Sequence, residues 1–573
     1  MAFSILISSG YATEFVLLHT NDMHGFVEHT VTDEYRGGYA AMAHLMNERR
    51  ALAHGQGLGT LTLDAGDFLE GSMFYVVDKA ERVLEIMNLL KYDSVALGNH
   101  DWLMGTQGLS DLLKNTTTSF DILAANIEVD RKRFPGLQKL LPYKIYSFEG
   151  KRVAVMGLTT DEYYYAWAFD KGKIRNPIKT AKQTIKKIKS LGVKTIIALT
   201  HLGLMKELDL IKQTEGIDLV VGGHSHSLLM STVYANNAVG KKVPLLQVGE
   251  HAQFLGELRL KIKDDGGLKV LEHQVISVPF EKKDPKVVKE VEKIRHGLNK
   301  VYGRSNLAKV VGRSDVDLIN SNSQMTSWSL FITQSFREAL NTDIGIHAPN
   351  LAGVDLPAGE ITREQIMQGY PRFFSLNDRW GWRLYRVKLM GAVVKTMLDY
   401  FLTGPEAMAL SGVTFKIKNH KGKKKIVDLK INGEKVKFFK IYTLALPEGV
   451  IRGGIGVSPL LLEIFKSVER TEVNLWSALE EKFDRDGTIK GQQFGKELLD
   501  NLNNISRAEQ LNVSNSILKM IDTGHEPLVA VSKEKVRGHE KVLYEKQSGD
   551  SKWVEFSAND TDTWSFFSKD QGH

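Results

Sequence analysis

The 573-residue chain has no cysteine. That excludes disulfides and thiolate metal sites. A cytosolic chain of this length would ordinarily carry a few cysteines, so their absence leans toward an exported protein that avoids stray pairing. No apolar run approaches the length of a membrane span. Basic and aromatic residues do not interleave as they do in a nucleic-acid groove, so no nucleic-acid partner is expected. Internal repeats are also missing. What remains is ordinary globular composition, 42% hydrophobic and 25% charged, in a chain too long for one core. Two large domains plus extras are expected.

The formal charge of +7 and a pI near 9.0 favour anionic partners in general. Most basic residues are dispersed on helical patterns. Lys421 to Lys425, beside Gly422, is the dense exception and is expected to be a solvated turn. At the N-terminus, Phe3-Ser4-Ile5-Leu6-Ile7 precedes small residues up to Ala12. The segment resembles the end of a secretory signal without its basic start. Residues 1–13 are therefore expected to be a signal remnant and the protein periplasmic or secreted.

The informative stretches share one form, an apolar run that ends in a bend carrying His, Asp or Asn. Phe15–Leu18 leads to Asp22 and His24, and Thr60–Leu63 leads to Gly66-Asp67. Ser94–Leu97 runs into Gly98-Asn99-His100-Asp101, and Thr195–Thr200 ends at His201. Ile217–Val221 delivers Gly222-Gly223-His224-Ser225-His226. Helical patterns separate these strands, which predicts a sheet covered by helices, with ligands gathered at strand ends. Val243–Val248 and the alternating Phe254–Leu260 read as closing strands of this unit. A charged helix follows Asp284-Pro285, with Val287, Val291, Ile294, Leu298 and Val301 on one face. A second unit follows, with helices at Trp328–Leu340 and Leu389–Leu402 and strands near Gly412–Phe415 and Ile441–Ala445. Beyond Gly524 a polar, loosely packed tail is expected.

Asp22, His24, Asp67, Asn99, His100, His201, His224 and His226 are more donors than one ion can use. They suit two borderline divalent ions, Zn²⁺ or Mn²⁺, bridged by a carboxylate. Such a pair can hold a phosphate oxygen and lower the pKa of a water, while a remaining histidine protonates the leaving alkoxide.

Thr20-Asn21-Asp22-Met23-His24, Gly66-Asp67, Gly98-Asn99-His100-Asp101, Thr200-His201 and Gly223-His224-Ser225-His226 resemble the motifs of the metallophosphoesterases. More narrowly, they resemble those of the 5′-nucleotidase / UDP-sugar hydrolase family. The resemblance spans roughly residues 14 to 510. It implies an α/β/β/α sandwich over 14–280, a linker helix over 281–308, a smaller α+β substrate domain over 309–511 and a tail over 512–573. It also implies hydrolysis of a small phosphate ester, by default a nucleotide. Carried over, Asp22, His24, Asp67 and His226 hold one ion, and Asp67, Asn99, His201 and His224 the other. His100 is then the catalytic histidine.

The chain departs from the family at several positions. Where the family places an aspartate three residues after the catalytic histidine, this chain has Leu103, and Asp101 is the candidate to orient His100 instead. Asp355 stands where an arginine is expected, and Ala407 and Val457 stand where two aromatics would clamp a base. Ile455 replaces an aspartate. Arg372, Arg379, Arg383 and Arg386 offer an alternative anion site. An altered ester specificity, including a sulfur ester, and a non-catalytic binding protein are the competing expectations.

Overall fold

The computed structural model describes residues 13–28, 37–166, 168–319, 326–373, 379–403, 408–420, 423–452 and 468–490, and four strands between 528 and 568. The expected signal remnant, apart from Thr13, lies outside the described residues, as do 491–527, where the second unit was expected to end.

The strand Glu14–Thr20 illustrates how the first unit is built. Phe15 and Leu17 point to one side and Val16 and Leu18 to the other, and all four are buried. This period-two partition repeats across two sheets. Leu61, Leu63, Val153, Val155, Ile197, Leu199, Leu219 and Val221 join Phe15 and Leu17 in a core between the sheets. Ala154, Met156, Ile196, Ala198 and Val220 face the outer helices Pro177–Ser190 and Leu204–Gln213. Strands wet on neither face must be apolar at every position, which is why they read as unbroken runs. Each fully buried Leu, Ile or Phe contributes about 1.5–3 kcal/mol.

The first sheet has seven strands and the second six. In the first, Glu14–Thr20, Gly59–Asp64, Ser94–Ala96 and Asp121–Leu123 run parallel. In the second, Lys151–Thr159, Thr195–His201, Leu219–Val221 and Lys242–Leu246 run parallel. The expected closing strands divide between the sheets. Lys242–Leu246 extends the second, whereas Phe254–Ile262 pairs antiparallel with Glu14–Thr20 in the first. Helices on both outer faces complete the α/β/β/α sandwich.

Asp284 caps the helix Pro285–Tyr302 by accepting from Lys286 N and Val287 N. The helix buries Val287, Ile294 and Leu298 against the first unit, beside Tyr39–Gly55 and Glu81–Leu90. It is therefore docked along the sandwich. The smaller α+β unit centres on a five-stranded sheet that includes Ile344–His347, Arg383–Met390 and Ile441–Pro447, packed with the helices Ser327–Ala339 and Gly391–Thr403. The lysine-dense segment enters the strand Lys423–Ile431, and its first two residues lie outside the described ones.

The expected loose tail differs from the structure. Leu528–Val536, His539–Lys546, Ser551–Phe556 and Ser565–Ser568 form an antiparallel four-stranded meander. Short runs rich in β-branched and aromatic residues, separated by Gly538 and Gly549, carry this pattern inside a polar composition.

Candidate metal centre

The parallel strands of both sheets present their carboxyl ends at one edge, and the motif residues collect there. Asp22 and His24 follow Glu14–Thr20, Asp67 follows Gly59–Asp64, and Asn99 and His100 follow Ser94–Ala96. His201 ends its strand, and His224 and His226 follow Leu219–Val221. Cross-loop bonds stitch the two sheets together here. His224 N donates across the sheets to the Asp22 carboxylate at 3.0 Å, and within the first sheet Asp22 N donates to Gly66 O at 2.9 Å. Five of the seven ligand candidates, Asp22, His24, Asp67, His224 and His226, have positive φ. Non-glycine residues adopt that conformation only where the surroundings impose it, and such residues concentrate at functional sites. Gly66 (φ 97°) allows a close approach: a Cβ there would lie 2.8 Å from Gly98 N and 2.9 Å from His201 Nδ1.

Each ligand histidine has one ring nitrogen engaged by an oxygen. His24 Nδ1–H donates to Glu70 O at 2.7 Å and His201 Nδ1–H to Ala65 O at 2.8 Å. His224 Nε2 pairs with Glu162 at 2.9 Å, and His226 Nδ1 pairs with Glu250. Such partners fix the tautomer and aim the other nitrogen, as is usual around metal ligands. The remaining donors converge. His24 Nε2 lies 3.1 Å from His226 Nε2, and His226 Nε2 lies 3.4 Å from Asp22 Oδ1. His201 Nε2 lies 3.0 Å from Asp67 Oδ2 and 3.2 Å from Asn99 Oδ1.

Three groups have donor atoms all within 4.8 Å of one another: Asp22 with His24 and His226, Asp67 with His201 and His224, and His24 with Asp67 and His100. Asp67 sits between the first two, its Oδ2 3.8 Å from His24 Nε2. Its Oδ1 accepts from His100 N at 2.7 Å, but the buried Oδ2 has no hydrogen-bond partner among the described residues. A buried carboxylate oxygen left this way is costly unless a cation satisfies it. The donor set therefore fits divalent metal ions.

Burial opposes ionisation of Asp67, yet the His201 and His100 imidazoles outweigh it and hold the carboxyl well below the ordinary range. Burial pushes His24 down, with His100 adding to the effect, which keeps it neutral as a ligand must be. Beneath the Gly222–Gly223 bend, burial raises the Glu207 carboxyl to about 7 although Gln247, Thr200 and Gly223 N donate to it.

His100 joins the cluster, but Asp101 does not orient it. The Asp101 carboxylate accepts from four backbone groups: Gly98 N at 2.7 Å and Asp67 N, Phe68 N and Leu69 N at 3.0 Å. It is fully buried and organises the loop that carries Asp67. A side chain adjacent to His100 on a tight bend points inward, so the expected orienting role is corrected. His100 Nδ1 instead meets the carboxylate of Glu70. Sequence reasoning missed Glu70, Glu162 and Glu250. Only Glu70 had a local signal, three residues after Asp67 in the same loop.

The four arginines do not form a shared anion site. Arg379 donates to Val301 O, Arg383 to Glu472 O, and Arg386 to Glu469 and Leu340 O. Of the four, Arg372 alone reaches the edge that carries the metal-ligand candidates, 3.2 Å from Glu70. Ala407 and Val457, where the base clamp was expected, and Ile455, where an aspartate was expected, lie outside the described residues.

Residues 15–228 match the calcineurin-like phosphoesterase family, and residues 306–462 match the 5′-nucleotidase, C-terminal domain. The chain therefore carries, in order, the two domains found in the 5′-nucleotidase family. Snake venom 5′-nucleotidase of Naja atra is 31% identical over 334 residues, 53% of this chain and 60% of that protein. A trifunctional nucleotide phosphoesterase protein of Bacillus subtilis (strain 168) is 26% identical over 500 residues, 78% of this chain and 32% of that protein. The chain thus spans less than two thirds of either relative. A 5′-nucleotidase precursor from Thermus thermophilus shares the fold, with a TM-score of 0.73 at 21% identity over 84% of this chain and 98% of that one.

Proposed function

We propose that the chain is a two-metal phosphoesterase acting on a small phosphate ester of nucleotide type. The observation that carries this reading is the pair of convergent donor groups on either side of Asp67, with His100 beside them. Asp22, His24, Asp67 and His226 would hold one divalent ion, and Asp67, Asn99, His201 and His224 would hold the other. Imidazole, carboxylate and amide donors suit Zn²⁺ or Mn²⁺. When bound, the ions supply Lewis acidity toward a phosphoryl oxygen and acidify a water.

The chain's own residues do the rest. Glu162, Glu250, Ala65 O and Glu70 O hold the ligand imidazoles in one tautomer. Asp101 fixes the loop that presents Asp67. With Nδ1 tied to Glu70, His100 presents Nε2 as the proton donor to the departing alkoxide.

A nucleotide substrate is supported by the two curated relatives. The absence of cysteine and the venom relative support export; no helix among the described residues is long and apolar enough to cross a membrane. Purified full-length protein loaded with Mn²⁺ or Zn²⁺ tests the reading. It should hydrolyse p-nitrophenyl phosphate or its bis ester, and failure on both removes the proposal. AMP, UDP-glucose, a cyclic nucleotide, ribose 5-phosphate and a thiosulfate-type ester, assayed side by side, select the substrate class. Equal rates on AMP and ribose 5-phosphate would identify an enzyme without a base clamp.

A further inference from the structure

His100 lacks an acidic partner three residues on, because that position is Leu103, apolar and only 8% exposed. Asp101 is engaged by four backbone N–H groups. The carboxylate that meets His100 Nδ1 belongs to Glu70, whose side chain is fully buried. A buried carboxylate needs donors, and two of those around Glu70 come from the other domain. Arg372 Nη1 lies 3.2 Å from the same Oε2 that meets His100, and Phe373 N lies 3.4 Å from Oε1. Arg372 is itself anchored through Nε to Leu351 O at 2.8 Å.

We propose that Glu70 is the positioning residue of His100 and that Arg372, from the C-terminal domain, holds Glu70 in that role. This rests on the phosphoesterase reading above. The arrangement makes His100's orientation depend on domain docking. When the C-terminal domain is seated, Arg372 shares Oε2 with His100 and fixes the position of the carboxylate. Without it, Glu70 would be left buried with the imidazole as its only side-chain partner among the bonds described. The Glu70 carbonyl also accepts from His24, so a single residue aligns the proton donor through its side chain and a ligand imidazole through its backbone.

The test compares Glu70→Gln, Arg372→Met, His100→Ala and the pairwise doubles, in the metal-loaded full-length protein. A residue acting through a general acid matters most when the leaving group is poor. Glu70→Gln should lower kcat on AMP by about 10- to 100-fold and on p-nitrophenyl phosphate by less than about 3-fold, with KM and metal content unchanged. In the His100→Ala background, Glu70→Gln should have no further effect. Arg372→Met should give a smaller loss with the same leaving-group bias, absent in the Glu70→Gln background.

Equal losses on both substrates, or losses that multiply with His100→Ala, would overturn the proposal. A crystal structure of Glu70→Ala with Mn²⁺ gives a readout independent of turnover. The His100 imidazole should leave its native rotamer there, and an unmoved ring refutes positioning by Glu70. An inactive wild type in which the Glu70→Ala ring still moves would remove the phosphoesterase reading while retaining the Glu70–His100 link.

Discussion

Asp67 is the residue on which the donor geometry turns. One carboxylate oxygen is held by His100 N and the other has no hydrogen-bond partner among the described residues, facing two imidazoles. Asp67→Ala is therefore expected to reduce bound metal to one equivalent or less and activity by more than about 100-fold. Elemental analysis and initial rates check this, and intact activity would end the bridging assignment. Asp101 should behave differently. An amide at this position replaces one accepting oxygen with a donor that faces N–H groups. Asp101→Asn is expected to cost about 1–3 kcal/mol in urea unfolding. The AMP to p-nitrophenyl phosphate rate ratio should stay near wild type, because the residue supports a loop and does not touch His100.

At the scale of elements, the candidate ligands sit at strand ends, and after Glu14–Thr20, Gly59–Asp64 and Leu219–Val221 the backbone stops its strand by bending into positive-φ residues. That geometry was partly legible. The glycines and the apolar runs are local signals, and they located the candidate ligands that the fold brings together. Positive φ at Asp22, His24, Asp67, His224 and His226 was not legible, because it is imposed by bonds between loops of different strands. The strand Ile344–His347 in the smaller unit shows a second consequence of burial. Burial, with Arg372 adding, pushes the His347 imidazole down to about 3. Its Nδ1 lies 3.2 Å from Tyr370 Oη.

Unfolded, His347 would titrate near 6.5. Between about 6.5 and 3 the unfolded chain binds the extra proton, so stability from this site is complete above 6.5 and falls as pH drops. In denaturant titrations, wild type should lose stability relative to His347→Phe by up to about 1.4 kcal/mol per pH unit below pH 6. A flat difference from pH 6 to 4 would show that the imidazole is protonated in the folded state.

For the whole molecule, the core on the outer face of the first sheet continues without a break into the second unit. Arg295 on the connecting helix reinforces the junction. It pairs with Glu28 of the sandwich and, at 2.6 Å, with Glu364 of the C-terminal domain, and it lies over the Phe74 ring. The three groups are partly exposed, which limits their contribution. Arg295→Met is expected to destabilise the protein by about 1–2 kcal/mol and to increase protease cleavage near the helix. Cleavage unchanged from wild type would mean that the apolar core alone holds the domains. A cleft of about 350 Å³ beside Arg295, bounded by Phe26, Phe74, Asp355 and Gln368, lies at the same junction.

The sequence by itself determined the alternation of buried strands with helices in the first unit and the identity of the metal-ligand candidates. The division into two sheets was only implied by the family resemblance, and which strand joins which sheet was decided by tertiary structure. Apolar period, glycine bends and donor chemistry are properties of short stretches and survive without neighbours. The tertiary structure alone decided what surrounds those ligands. Glu162 meets His224 from 62 residues away, and Arg372 meets Glu70 across 302. No local pattern encodes such pairs, because they exist only once two sheets and two domains are packed. The partner of His100 is the clearest case. The adjacent Asp101 is drawn to backbone amides, and Glu70, from another strand's loop, meets the imidazole.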